Sequence, residues 1–359
     1  TCPTSNGTPV TTLLELAVAA GRSTGVVSTT RITHATPAAT YAHVCNRNAE
    51  NTIAAQLVPG TARYNAQLGD GVDVVLGGGR RHFLPSSVDG SKRNDTRNLI
   101  KEMQAAGYTY VANEADFKAV PTTATKLLGL FTMSHMSYDL DRDPAVEPSL
   151  AEMTIKAIEI LSRNPKGYFL MVEGGRIDHA LHATLARKAL QDGKAFDDAI
   201  KAALAKVDLK NTLIVVTADH DHTMVMNGYS TLTGKTTDTY AGILGLMRDY
   251  HEARNADGTA PQVITTIAPT LDADGRPFTT LVFGTGEHRV QGNRNTLPAL
   301  TDPQVFDKSY HQESAVPLGS ETHGGADVFL GAAGFGAGDF HGTLDNTQVF
   351  GLIKTAADL

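Results

Sequence analysis

Three short stretches of the chain gather side chains able to hold metal: Glu173-Gly174-Gly175-Arg176-Ile177-Asp178-His179-Ala180-Leu181-His182, Asp219-His220, and Glu321-Thr322-His323. Asp178 and His182 are four residues apart, so on a helix they share a face about one turn from each other. Zinc takes imidazole nitrogen and carboxylate oxygen at about four positions and keeps one open in catalytic sites. Asp178, His182 and His323 would make one such three-ligand site, and Asp219 with His220 most of a second. Two metals about 4 Å apart can clamp the attacking and leaving oxygens of an in-line displacement at phosphorus. Glu173 and the Thr36 hydroxyl are hard oxygen donors suited to magnesium, and Arg47 offers a planar fork that grips phosphate at two points. Taken alone, a histidine is usually structural, Thr36 reads as a helix cap and Arg47 as a solvated charge. The functional reading rests on separate strand ends each delivering ligands.

The elements that must position these residues alternate. Gly167-Tyr-Phe-Leu-Met171 is an apolar run that reads as a buried strand leading to Glu173. Two glycines break it, and one long helix is predicted from Ile177 to about Leu204. Thr212 to Thr217 is the clearest buried strand and delivers Asp219 and His220 at its carboxyl end, where open α/β sheets bind ligands. Upstream, a helix is predicted from Val10 to Gly21 and a β-branched strand from Thr24 to Thr30. A further helix should open at Pro37, with Thr36 as its N-cap, and carry Arg47 near its end. Helices at 51–57, 96–107 and 148–163 alternate with strands at 72–76, 108–111 and 126–131. A strand at 327–330 and a helix from Asn346 to Leu359 close the chain. The alternation predicts an α/β three-layer sandwich around a central, largely parallel sheet. Residues 223–318 lose helical periodicity and gain Gly, Thr, Asn and Pro, so they read as a strand- and loop-rich, crown-like insertion on the functional side. Residues 1–222 and 319–359 then form the core.

Several classes are excluded or disfavoured by composition. The 359 residues suffice for a sizeable core, and the net charge of −7 argues against a nucleic-acid clamp. A small anionic substrate remains compatible, because metal ions and a local arginine reverse the field in a pocket. No apolar run reaches the roughly 18–20 residues that span a bilayer. Gly77-Gly78-Gly79-Arg80-Arg81 lacks the endings of the phosphate-binding glycine loops and reads as a turn leaving a strand. Cys2 and Cys45 are the only cysteines. They are equally compatible with one disulfide or with two thiols, and too few for a cysteine zinc cluster. The chain begins at Thr1, with neither Met nor a signal peptide, which points to something upstream having been removed.

The segments Thr29-Thr-Arg-Ile-Thr-His-Ala-Thr-Pro-Ala38, Val74-Val-Leu-Gly-Gly-Gly-Arg80, Leu128-Gly-Leu-Phe131, Val172–His182, Thr217-Ala-Asp-His220, Ser314-Ala-Val-Pro-Leu318 and Glu321-Thr-His-Gly324 together resemble the alkaline phosphatase family. The resemblance implies hydrolysis of phosphate monoesters with two zinc ions and one magnesium. Asp178, His182 and His323 would bind the first zinc, Asp219 and His220 the second, Thr36 and Glu173 the magnesium. Arg47 would hold the substrate phosphate, with His179 and His34 beside it. It further implies a homodimer in the periplasm or secreted. In the family a serine in an Asp-Ser-Ala motif is the nucleophile and forms a phosphoserine. This chain has no such motif, so the serine is expected on a companion N-terminal segment, and the chain alone is expected to be inactive. A sulfatase or phosphodiesterase of the same superfamily, and a non-catalytic metal-binding fragment, are the competing readings.

Overall fold

The computed structural model describes residues 7–228, 230, 243–253, 257, 263–289 and 291–359. Cys45 is disulfide-bonded, while Cys2 lies outside the described residues. The chain divides into two compact units: Thr1–Arg176 with Asp192–Thr217 and Phe329–Leu359, and Ile177–Gln191 with Ala218–Val328.

In the first unit, strands β1 (Ser23–Arg31), β2 (Val74–Gly78), β3 (Thr109–Val111), β4 (Leu127–Leu130) and β5 (Tyr168–Glu173) form a sheet in the order β3-β4-β2-β1-β5. Every pairing in it is parallel. β2 and β4 are buried along their whole length, as parallel strands covered on both faces must be. Adjacent residues feed opposite faces. Val26, Val75 and Leu128 pack with Leu14, Tyr41 and Ile53, whereas Val27, Val74 and Leu127 pack with Met153, Ala157 and Leu161. Leu14 belongs to helix Leu13–Ala19, and Met153, Ala157 and Leu161 to helix Leu150–Leu161, so helices cover both faces and the three layers follow. Both helices open with a reciprocal capping box, Thr12 with Glu15 and Ser149 with Glu152, which stabilises a helix start by about 1 kcal/mol. At the end of β2 the backbone approach is so close that a Cβ on Gly78 would lie 2.2 Å from the Ser134 carbonyl oxygen.

Three local expectations are corrected. Helix Ala35–Ala38 has His34, not Thr36, at its N-cap, and it ends at Ala38 instead of reaching Arg47. Pro37 fits its first turn, where the missing N–H would find no helical partner anyway. The chain then leaves the helix because Tyr41 is buried, its hydroxyl bonded to the Ile32 carbonyl at 2.7 Å. Gln56 next binds both backbone groups of His43, and Arg47 lies in a turn. The long helix from Ile177 is two helices, Arg176–His182 and Ala186–Lys206, broken where Thr184 takes φ 55°. The last strand is Leu330–Gly334, antiparallel to β6 (Leu213–Thr217). The five residues of β6 are used up by the register from Gly334↔Leu213 to Leu330↔Thr217, so residues 327–329 have no strand partner there.

In the second unit, strand Leu281–Gly286 runs antiparallel to Met224–Met226 and parallel to Ser314–Pro317. Leu281 and Phe283 anchor a small core with Leu244, Leu246, Ala186 and Val305. A ribbon pairs Asp221–His222 with His323–Gly324. An isolated antiparallel bridge joins Leu271 and Pro277.

Candidate metal centre

The ligand cluster is built within the second unit by one helix and one two-stranded ribbon. Helix Arg176–His182 presents Asp178 and His182 one turn apart, with His182 Nε2 3.2 Å from Asp178 Oδ1. The ribbon sets His323 directly opposite His222. It delivers His323 Nε2 3.2 Å from His182 Nε2 and 3.9 Å from Asp178 Oδ1. Ligands at zinc bond lengths of about 2.0–2.1 Å on a tetrahedron are separated by about 3.3 Å. Two edges of the Asp178–His182–His323 triangle match that spacing and the third is wider, so the donor set suits zinc in both chemistry and size. His220 Nε2 lies 3.4 Å from Asp219 Oδ2 and 3.9 Å from Asp178 Oδ1, and its ring stacks on His323 with centroids 3.4 Å apart. The pair expected for a second metal therefore adjoins the first triad.

Two residues that sequence reasoning passed over hold this cluster. His222 is buried and bridges two carboxylates, with Nδ1 2.7 Å from Glu321 Oε2 and Nε2 3.0 Å from Asp178 Oδ1. Glu321, whose side chain is fully buried, also accepts from the Thr223 N–H at 2.6 Å and the Thr223 hydroxyl at 2.7 Å. Its main-chain oxygen takes His182 Nδ1 at 2.6 Å, a contact that leaves Nε2 of that ring facing Asp178 and His323. The alternation of His220 and His222 along a strand was a usable signal for His222. For Glu321 only its place two residues before His323 pointed that way.

The electrostatics follow from these contacts. Burial works to raise the Asp178 carboxyl, but the His222 hydrogen bond and the charges of His182, His179 and His222 bring it down to about 2. Burial would lower His222, yet its bonds to Asp178 and Glu321 win and raise it. His323 is lowered, by burial first and then by His220, His182 and His222, which favours the neutral imidazole that binds metal.

The other sequence-derived candidates, His179 apart, lie in the first unit. Glu173 ends β5 and accepts hydrogen bonds from the Ser28 hydroxyl and, at 3.2 Å, from the Thr30 hydroxyl. Helix Ala35–Ala38 packs on β1 and β5, bringing half-buried Thr36 to that end of the sheet. Arg47 is exposed, its Nη2 3.4 Å from His34 Nε2. The His34 ring stands edge-on to His135 at 5.2 Å. His135, also missed from sequence, takes the Arg31 N–H on Nδ1 at 3.2 Å. His179 lies on helix Arg176–His182, beside Asp178 in sequence.

The chain thus has a parallel α/β sheet in one unit and, in the other, a carboxylate–histidine cluster spaced so that it could hold a divalent metal. The alkaline phosphatase family model matches residues 3–359, and the chain belongs to the alkaline phosphatase family. It is 38% identical over 368 residues to the membrane-bound alkaline phosphatase of Bombyx mori, covering 95% of this chain and 61% of that protein. It is 34% identical over 381 residues to the tissue-nonspecific isozyme of Homo sapiens, covering 99% and 67%. Among solved structures, a TAB5 alkaline phosphatase variant with Mg bound in its M3 site superposes with a TM-score of 0.62 at 23% identity, over 98% of this chain and 76% of that one. The chain thus spans less than two thirds of the length of the Bombyx mori relative.

Proposed function

We propose that the protein of which this chain is part hydrolyses phosphate monoesters with two zinc ions and one magnesium, through a phosphoserine. The observation that carries this reading is the convergence of Asp178 Oδ1, His182 Nε2 and His323 Nε2 at separations of 3.2, 3.2 and 3.9 Å. In this reading Asp178, His182 and His323 hold the first zinc, Asp219 and His220 contribute to the second, and Thr36 and Glu173 serve magnesium. The metals would supply Lewis-acid stabilisation of the attacking and leaving oxygens of an in-line displacement. His222 and Glu321 keep the Asp178 carboxylate ionised and the His182 ring oriented. Arg47 supplies the planar donor fork for the phosphate, and His34 and His179 are assigned to substrate binding with it. The nucleophilic serine comes from a segment outside this chain. Residues 223–318 are an insertion on the core, and the protein works as a homodimer in the periplasm or secreted. Among the described residues no helix is long and apolar enough to cross a membrane.

The test is zinc content and phosphate-monoester turnover of the full-length protein. Asp178→Ala should abolish turnover and lower zinc content; a variant with normal turnover would sink the assignment.

A further inference from the structure

The metal-bearing helix ends in an unusual way. After His182 the chain does not continue the helix, and Thr184 takes φ 55°, a conformation that costs a β-branched residue about 1–3 kcal/mol. Thr184 is 1% exposed, so solvent does not relieve the cost. The turn itself is closed locally, by the Thr184 N–H on the Leu181 carbonyl and the Leu185 N–H on the Ala180 carbonyl, both at 2.8 Å, and the carbonyls that follow are met from elsewhere in the chain. A helix leaves its last carbonyls without helical partners. Here three successive carbonyls are each met by a donor from one later stretch of chain. The His182 oxygen accepts from the Glu321 N–H at 2.9 Å. The Ala183 oxygen pairs with His311 Nδ1 at 2.7 Å, and the Thr184 oxygen accepts from the Gln312 N–H at 2.9 Å. Since a carbonyl only accepts, His311 carries its proton on Nδ1 in this contact. The same stretch runs on to His323, so the segment that caps the helix behind His182 also delivers the other histidine of the triad.

We infer that residues 311–321 form a clamp that sets the position of His182 relative to His323, and that His311 is a positioning residue for the metal site. Of the three caps, two come from main-chain N–H groups that any residue would supply. His311 is the one whose side chain provides the donor, and its ring is seated on that of His288, centroids 4.2 Å apart and 20° from parallel. Removing the imidazole leaves the Ala183 carbonyl uncapped one residue after a ligand and gives the strained Thr184 turn freedom to relax. The triangle of donor atoms then loosens while the ligands themselves remain. Metal affinity is the quantity that such a change moves, because displaced support around a site weakens binding by about 10–100-fold.

This inference rests on the reading of Asp178, His182 and His323 as metal ligands, and the experiment separates the two. The chain is titrated with Co(II), followed by its visible d–d absorption, and with zinc in competition with a chelator, as wild type and as His323→Ala, His311→Ala and His311→Asn. The Asn side-chain amide can place a donor where Nδ1 stood. The expected result is loss of the Co(II) band in His323→Ala, an affinity about 10–100-fold weaker with an altered band in His311→Ala, and recovery of both band shape and most of the affinity in His311→Asn. If His323→Ala binds like wild type, the ligand assignment itself fails. If His323→Ala loses the metal while His311→Ala keeps wild-type affinity and spectrum, the ligand assignment stands and the clamp is refuted. An equal loss in His311→Ala and His311→Asn would also refute it, since the donor would then not be what acts.

Discussion

Asp192 carries a prediction that can be worked through from the structure. It lies in helix Ala186–Lys206 and is 4% exposed. The hydrogen bond defined for its carboxylate comes from the Asp139 N–H to Oδ2 at 3.3 Å. Burial pushes its pKa up to about 7; the charges of Asp139 and Asp141 add to this, while the Asp139 N–H and Arg176 oppose it. Arg176 is itself engaged over the Tyr138 ring at 3.8 Å. An unfolded chain releases this proton near the ordinary value of 3.8. Between that pH and about 7 the folded state binds more protons than the unfolded one, so stability falls as pH rises through the window and the full penalty persists above it. The gap corresponds to about 4 kcal/mol, which relaxation around a buried charge reduces to on the order of 2–4 kcal/mol. Asp192→Asn keeps an acceptor for the Asp139 N–H and cannot ionise. Thermal and urea unfolding should therefore find variant and wild type alike near pH 4. At pH 8.5, with the same free zinc in both samples, the variant should be more stable by that amount. An offset of the same size at both pH values, or a variant less stable at pH 8.5, would refute the reasoning.

Three further outcomes are expected. His222→Ala removes the partner shared by Asp178 and the buried Glu321, and zinc–chelator competition should show affinity weakened by about 10–100-fold. Gly78→Ala drives a methyl group into the Ser134 carbonyl and the Thr132 hydroxyl. It should destabilise the fold by at least about 1–3 kcal/mol in urea melts, whereas a melt unchanged from wild type would show that the loop at 132–136 yields. In the full-length protein, Arg47→Ala should raise KM for a phosphate monoester by about tenfold or more, with Arg47→Lys recovering only part, since a point charge replaces a planar fork.

Some of this was legible before any coordinates. The apolar runs at 72–76, 126–131 and 167–171, separated by helical periods, pointed to the parallel sheet, because strands covered on both faces are apolar throughout, as those at 74–78 and 127–130 prove to be. The i, i+4 spacing of Asp178 and His182 put them on one helix face for an equally local reason, and the structure has them 3.2 Å apart. Other features depended on partners distant in sequence. Nothing in Ala183-Thr184-Leu185 marks a helix break; local N–H groups close the turn, and donors more than a hundred residues later meet the carbonyls of residues 182–184. The end of helix Ala35–Ala38, and with it the turn that carries Arg47, was set by the burial of Tyr41 and by Gln56.

By itself the sequence determined the residue types and their short-range spacing, hence most of the helices and strands, the parallel sheet and a set of oxygen and nitrogen donors. Only the tertiary structure decided the distances at which His323 meets Asp178 and His182, that His222 and Glu321 hydrogen-bond to them, and that His34 stands beside both Arg47 and His135. The reason is that periodicity reports the face a residue occupies within its own element. Distances of 3 to 4 Å between side chains far apart in the chain are set by how a ribbon such as His323–Gly324 pairs across to Asp221–His222, and no local pattern encodes that pairing.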